Sequence, residues 1–242
     1  MLVGEVREIV RHPVKSFYGE SVPTTTIERY GLYGDRSHAF LDETRDGKFL
    51  TATQLPAMVG YRARFMDPES REEFPGIQIT SPAGHTYQWG DEALLKEMEM
   101  LSGRRVSAVR YTPDNVPAGA IEEEHVLITT DASLAMLQET WGDTIDNRRF
   151  RGNICISLDN RQPFLEETWF GKRMSIGGTE LRVKRHCERC MIINIDPQTG
   201  MIDSSLLKIV AQRRNNHFGV YASVVQTGEI HVGDKVYIDD GR

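Results

Sequence analysis

The chain has 242 residues, a formal net charge of −6, and is 39% hydrophobic and 26% charged. That composition belongs to a globular protein with a real core, and the length allows one large domain or two small ones. The acidic balance excludes general affinity for nucleic acid, which needs a basic surface, and no run approaches the roughly 20 apolar residues that cross a bilayer.

In chain order, the N-terminus MLVGEVREIVRHPVKS carries Glu5 and no long apolar run, so it is no secretion signal and a cytoplasmic enzyme of bacterial type is expected. Short alternating or β-branched runs at 4–10, 37–41, 76–80 and 105–110 predict strands, each bounded by Gly, Pro, Asp or Asn. A short amphipathic helix is predicted over 91–101. Residues 111–124 mix Pro, Gly and acids without apolar periodicity and read as a linker or long surface loop. Beyond it, Thr130 or Asp131 is the expected N-cap of a helix that Gly142 stops. Further strands are predicted at 153–157, 180–184, 191–195 and 235–238, and a third helix at 204–214. The fold class is mainly β with a few helices, divided into an N-terminal part over 1–112 and a C-terminal part over 120–242.

Basic residues gather at Arg148, Arg149 and Arg151, at Lys184, Arg185 and Arg189, and at Arg213 and Arg214. Local basic clusters on an acidic chain suit a small anionic ligand, with solvated surface as the plain alternative. The three cysteines, Cys155, Cys187 and Cys190, form no disulfide framework and fit a reducing compartment.

Cys187 and Cys190 make a CxxC pair with several readings. Structural zinc needs four ligands, and His186, Cys187 and Cys190 supply at most three. A thioredoxin-like pair sits at a helix N-terminus, whereas Met-Ile-Ile-Asn-Ile after Cys190 reads as a strand. Haem attachment wants His after the second cysteine, and His186 precedes the first. Two buried inert thiols remain open. Arg189 beside Cys190, with Lys184, Arg185 and His186 nearby, favours a thiolate able to attack sulfur or hold a soft metal.

Several separated motifs then carry a resemblance over nearly the whole chain: His12-Pro-Val-Lys-Ser16, Gly34-Asp-Arg36, Phe49-Leu-Thr-Ala-Thr-Gln54, Arg149-Phe-Arg-Gly-Asn153, Cys187-Glu-Arg-Cys190 through Asp196-Pro-Gln-Thr-Gly200, and Gly228-Glu-Ile-His-Val-Gly-Asp234. In order and spacing they resemble the MOSC-domain proteins, in the branch of the mitochondrial amidoxime-reducing components and their bacterial relatives.

The resemblance implies an N-terminal β-barrel-like domain packed on a C-terminal MOSC β-barrel, with a molybdenum cofactor in the cleft between them. It implies that Cys190 ligates molybdenum and that Lys15, Ser16, Arg36 and Arg151 hold the pterin phosphate. Glu188 and Arg189 would face the cofactor through their backbone, and Asn153 would bond the pterin edge. Asp196 is a candidate proton donor, or else only the turn that closes its strand. The implied activity is a molybdenum-dependent oxidoreductase acting on N-hydroxylated or other N–O small molecules. A separate ferredoxin or flavoprotein would give the electrons, because the chain holds no further cysteines for an iron–sulfur domain. A non-catalytic cofactor carrier, or a sulfur-transfer protein with a Cys190 persulfide, are the alternatives. Thr53 and Glu188 depart from the resemblance, which has Arg and a small Ser at those places.

Overall fold

The computed structural model describes residues 1–121 and 123–239, so residue 122 of the expected linker and the final 240–242 lie outside the described residues. The chain runs β1 (Leu2–Arg11), β2 (Glu20–Val22), β3 (Thr24–Glu28), β4 (Gly31–Leu32), β5 (His38–Asp42), β6 (Arg62–Phe65), β7 (Ile77–Thr80), β8 (Thr86–Gln88), α1 (Glu92–Ser102), β9 (Val106–Arg110) and α2 (Ala118–Ile121). It continues through β10 (Val126–Thr130), α3 (Asp131–Trp141), β11 (Ile154–Leu158), β12 (Arg173–Ile176), β13 (Thr179–Glu188), α4 (Ser205–Arg214), β14 (His217–Gln226), β15 (Gly228–His231) and β16 (Lys235–Ile238). The mainly β class with few helices therefore holds.

Seven strands close a barrel in the order β11-β10-β14-β13-β12-β16-β1, with β1 returning to β11 and β2 added beside β1. Alternation explains its interior: Met174 and Ile176 of β12, and Val236 and Ile238 of β16, are buried while the residues between them are exposed. These side chains join Val6, Ile9, Ile128, Ile154 and Trp169 in one core. The seam needs Gly4, because a Cβ there would stand 2.0 Å from the Ser157 carbonyl oxygen. β10 and β11 are parallel, a pairing that requires a long crossover, and α3 lies within that crossover. Thr130 caps α3 as expected, its side chain accepting from the Ser133 amide, and Gly142 ends the helix at φ 84°.

A second core lies outside the barrel, between two- and three-stranded sheets: β5 with β9, and β6 with β7 and β8. Phe17, Tyr33, Phe40, Tyr61 and Phe74 fill it, together with Leu94 and Met98 of α1. The chain thus begins in the barrel with β1, leaves to build this second core, and returns at β10.

Two local expectations are corrected. Residues 111–124 are not surface loop throughout, since Val116, Ala120 and Ile121 are buried in the second core and α2 forms there. Their apolar side chains stand between Pro and Gly residues, which hides any period. The predicted strand at 191–195 is a 3-10 turn over Met191–Asn194. A short apolar run does not distinguish a buried strand from a buried turn; here Ile193 packs with Phe150, Leu206 and Phe218, and Ile195 with Ala52 and Val59.

Candidate functional site

A cleft of about 260 Å³ opens between the two cores, and Arg36, Arg151, Asn153, Glu188, Arg189 and Cys190 all line it. Leu127, Phe150, Ile192 and Tyr221 give it apolar surface. A concave site with a few converging polar groups on apolar walls is the usual form of a small-molecule pocket.

Cys190 owes its position to the elements on either side. β13 ends at Glu188, and Cys190 is the N-cap of the 3-10 turn. Because the turn is anchored in two cores through Ile193 and Ile195, its first residue is left at the surface. Cys190 is the exposed thiol; Cys155 and Cys187 are buried. Burial pushes the Cys155 thiol up to about 11, which keeps it protonated near neutrality, and it lies outside the cleft lining. Cys187 also borders the cleft, and its Sγ accepts from Arg189 Nη1 at 2.7 Å. Arg189 is only 6% exposed, its Nη2 donates to the Phe150 carbonyl at 2.7 Å, and its Nε has no partner among the described residues.

The opposite wall is set by Asp35. Its carboxylate accepts from the His12 amide at 2.7 Å, from Asn153 Nδ2 at 3.2 Å and from the Arg36 guanidinium. Burial opposes the charge on Asp35, but Arg36 and His12 outweigh it and hold the carboxyl well below its ordinary range. Burial, and secondarily the Arg151 charge, push His12 down to about 3, so its ring is neutral. The motif's glycine is required on two counts: Gly34 has φ 71°, and a Cβ there would meet the Phe65 ring at 2.4 Å.

Ser16, Arg36 and Arg151 share one unusual feature. All three are non-glycine residues in the left-handed region, at φ 70°, 51° and 55°. Such conformations cost about 1–3 kcal/mol each and cluster where the backbone serves a site. Arg151 closes the 3-10 turn Asn147–Phe150, which Asp146 caps by accepting from the Arg148 amide, and its Nη1 donates to the Phe17 carbonyl at 2.9 Å.

Lys15, Ser16 and Asp196 stand apart from the cleft lining. Lys15 is buried, donates Nζ to the Ala120 carbonyl at 2.9 Å and lies 5.4 Å from the Phe49 ring centre. Ser16 Oγ accepts from the Ala52 amide at 3.1 Å. These contacts tie the first motif to the Phe49–Gln54 motif. Asn153 faces the cleft, yet its side-chain amide is occupied within the protein: Oδ1 accepts from the Leu127 amide at 3.0 Å and Nδ2 donates to Val10 and Asp35. Asp196 Oδ1 accepts from the Gln198 and Thr199 amides, and Oδ2 pairs with Arg149 at 2.9 Å. Partial burial opposes its charge, but the Thr199 and Gln198 amides and Arg149 prevail and lower its pKa.

Sequence reasoning did not single out Asp35, Glu123, Glu124 or Tyr221. Asp35 was visible inside the Gly-Asp-Arg motif as the acid beside a basic candidate. The others reach the cleft only through tertiary packing, and no local pattern marks them.

The comparisons with known proteins agree with this architecture. The family model of the MOSC domain matches residues 107–237, and that of the MOSC N-terminal beta barrel domain matches residues 3–89. Mitochondrial amidoxime-reducing component 1 of Danio rerio is 28% identical, over 97% of this chain and 85% of its own length. Mitochondrial amidoxime reducing component 2 of Homo sapiens is 28% identical over 97% and 83%. Molybdenum cofactor sulfurase of Danio rerio is 32% identical, but over 43% of this chain and 14% of its own length. The crystal structure of the YUAD protein from Bacillus subtilis shares the fold, with a TM-score of 0.52 at 12% identity over 98% of this chain and 96% of that one. With more than half of its length matched by the first of these models, the chain belongs to the MOSC domain family.

Proposed function

We propose that this protein binds a molybdenum cofactor through the Cys190 thiolate and reduces N-hydroxylated or other N–O compounds with electrons from a separate ferredoxin or flavoprotein. The observation that carries the reading is the exposed Cys190 on the wall of a cleft that also presents Arg36, Arg151 and Arg189. The relatives named amidoxime-reducing components support the choice of reaction.

The residues present fit such a group. Arg189 offers a buried Nε with no partner among the described residues, at the cleft wall. Arg36 and Arg151 add charge for a phosphate, which a guanidinium matches in shape and sign. A soft thiolate suits a metal with sulfur ligands. When bound, the cofactor would supply a two-electron couple. Phe150, Leu127, Ile192 and Tyr221 would exclude water around it, and Asp35 and Asn153 would hold Arg36 and the cleft wall in place. In the net change the N–O bond breaks, two electrons and two protons enter, and water leaves. Asp196, engaged by Arg149 and two amides, is assigned to the turn and solvent supplies the protons. Elemental analysis of protein made in a host that synthesises the cofactor tests the reading: about one molybdenum per chain is expected, and none would overturn it.

A further inference from the structure

The lining of the cleft is divided by charge. Arg36, Arg151 and Arg189 supply its positive groups, and Glu123, Glu124 and Glu188 its negative ones. The acids are not equivalent. Arg185 compensates Glu123 at 2.6 Å and lies 3.8 Å from Glu124. Glu188 is exposed at the end of β13 and has no ion-pair partner among the described residues. It stands two residues before Cys190, on the far side of Arg189. The buried, unpartnered Nε of Arg189 marks the cleft independently as built for a polar ligand. An anionic phosphate held by the arginines would cancel their charge and leave the carboxylate of Glu188 as the field that an incoming molecule meets near the thiol.

We propose that Glu188 makes the Cys190 end of the cleft favour positively charged over neutral ligands of the same shape. The inference rests on the charge layout of the cleft, and its turnover test on the reductase reading. A carboxylate at a partly enclosed wall gains by pairing with a cation, and repels neither shape nor size, so the preference is one of charge alone.

The test uses the full chain loaded with its cofactor and two probes of one shape that are not reducible at an N–O bond: benzamidine, a cation, and benzamide, its neutral counterpart. Calorimetry is expected to show benzamidine binding about three- to ten-fold tighter than benzamide, a range typical of one partly exposed ion pair. Added salt should narrow the gap. Glu188→Gln should erase it, and Glu124→Gln should narrow it less, because Arg185 already lies beside Glu124. Equal binding of the two probes to the wild type, or a gap that survives in Glu188→Gln, overturns the proposal. Turnover separates this inference from the reading beneath it. A kcat/KM ratio of cationic to neutral N–O substrate that falls in Glu188→Gln supports the proposal, and a ratio unmoved by the substitution overturns it. Selective binding with no turnover of either substrate supports charge selection and overturns the reductase reading instead.

Discussion

Asn153 Nδ2 donates to Asp35 Oδ2 at 3.2 Å, joining two residues 118 apart in the chain within the wall of the cleft that faces Cys190. Asp35 is fully buried and also serves Arg36 and the His12 amide. Asp35→Ala withdraws the carboxylate from a buried guanidinium, and removing one member of such a pair costs about 3–5 kcal/mol. Chemical denaturation should show that loss without a change in slope. A variant as stable as the wild type would mean that Asp35 is not the hub of the wall.

The second prediction concerns the thiols. Cys190→Ser should lose bound molybdenum, while Cys155→Ser, altering a buried thiol held near pKa 11, should keep it. Metal analysis of both variants against wild type decides the point. Equal molybdenum in Cys190→Ser and wild type would sink the assignment.

Part of this site was legible through the ordered motifs that carry the family resemblance. The resemblance pointed to Cys190, Arg36 and Arg151, and all three line the cleft. Strands β7 and β16 declare themselves through period-two burial. What stayed hidden depends on tertiary packing. The apolar run after Cys190 looks like a strand until Ile193 and Ile195 are seen to anchor in different cores. Asn153 reads as a free amide until both of its ends are seen to be used by backbone and Asp35. Lys15 Nζ donates to the Ala120 carbonyl and Ser16 Oγ accepts from the Ala52 amide, contacts that join segments far apart in the chain and that no local pattern shows.

Arg151 tests the anionic end of the cleft. Its left-handed backbone and its bond to the Phe17 carbonyl present a guanidinium from the turn that precedes β11. A charge-assisted contact to phosphate contributes about 1.5–3 kcal/mol, so Arg151→Ala should weaken cofactor retention about ten- to a hundred-fold. Cofactor content after dialysis, read beside the far-ultraviolet spectrum of the same sample, measures it. Full retention would place the phosphate elsewhere.

Glu166 gives a pH dependence with a definite sign. Burial raises its pKa, against the opposing hydrogen bonds from the Ser133 and Thr130 hydroxyls. A folded-state pKa above the unfolded value means that the stabilising contribution is complete below the unfolded pKa and is lost as pH rises through the folded one. Glu166→Gln keeps an acceptor for both hydroxyls and cannot ionise. The Tm of the variant minus that of the wild type should therefore be small in acid and grow more positive as pH rises through the folded-state pKa. A difference that is flat with pH, or that falls, would show that Glu166 titrates normally in the fold.

The last prediction separates an enzyme from a carrier and from a sulfur-transfer protein. All three would use Cys190 in the same cleft, so binding alone does not distinguish them. They differ in what reaches the thiol. A reductase needs the cleft to admit a small molecule while the cofactor is held, and the exposed Cys190 beside the exposed Glu188 leaves that end accessible. Loaded protein given a chemical reductant should convert an amidoxime or an N-hydroxyguanidine with no protein partner, because the artificial donor replaces the ferredoxin or flavoprotein. A carrier would show no turnover and would pass its cofactor to an apo-molybdoenzyme on mixing. A sulfur-transfer protein would carry cyanide-releasable sulfur on Cys190 whether or not molybdenum is present, and Cys190→Ser would abolish it. Turnover that disappears in Cys190→Ser is the expected outcome. Fully loaded protein that turns over no N–O compound yet hands its cofactor on efficiently would establish the carrier.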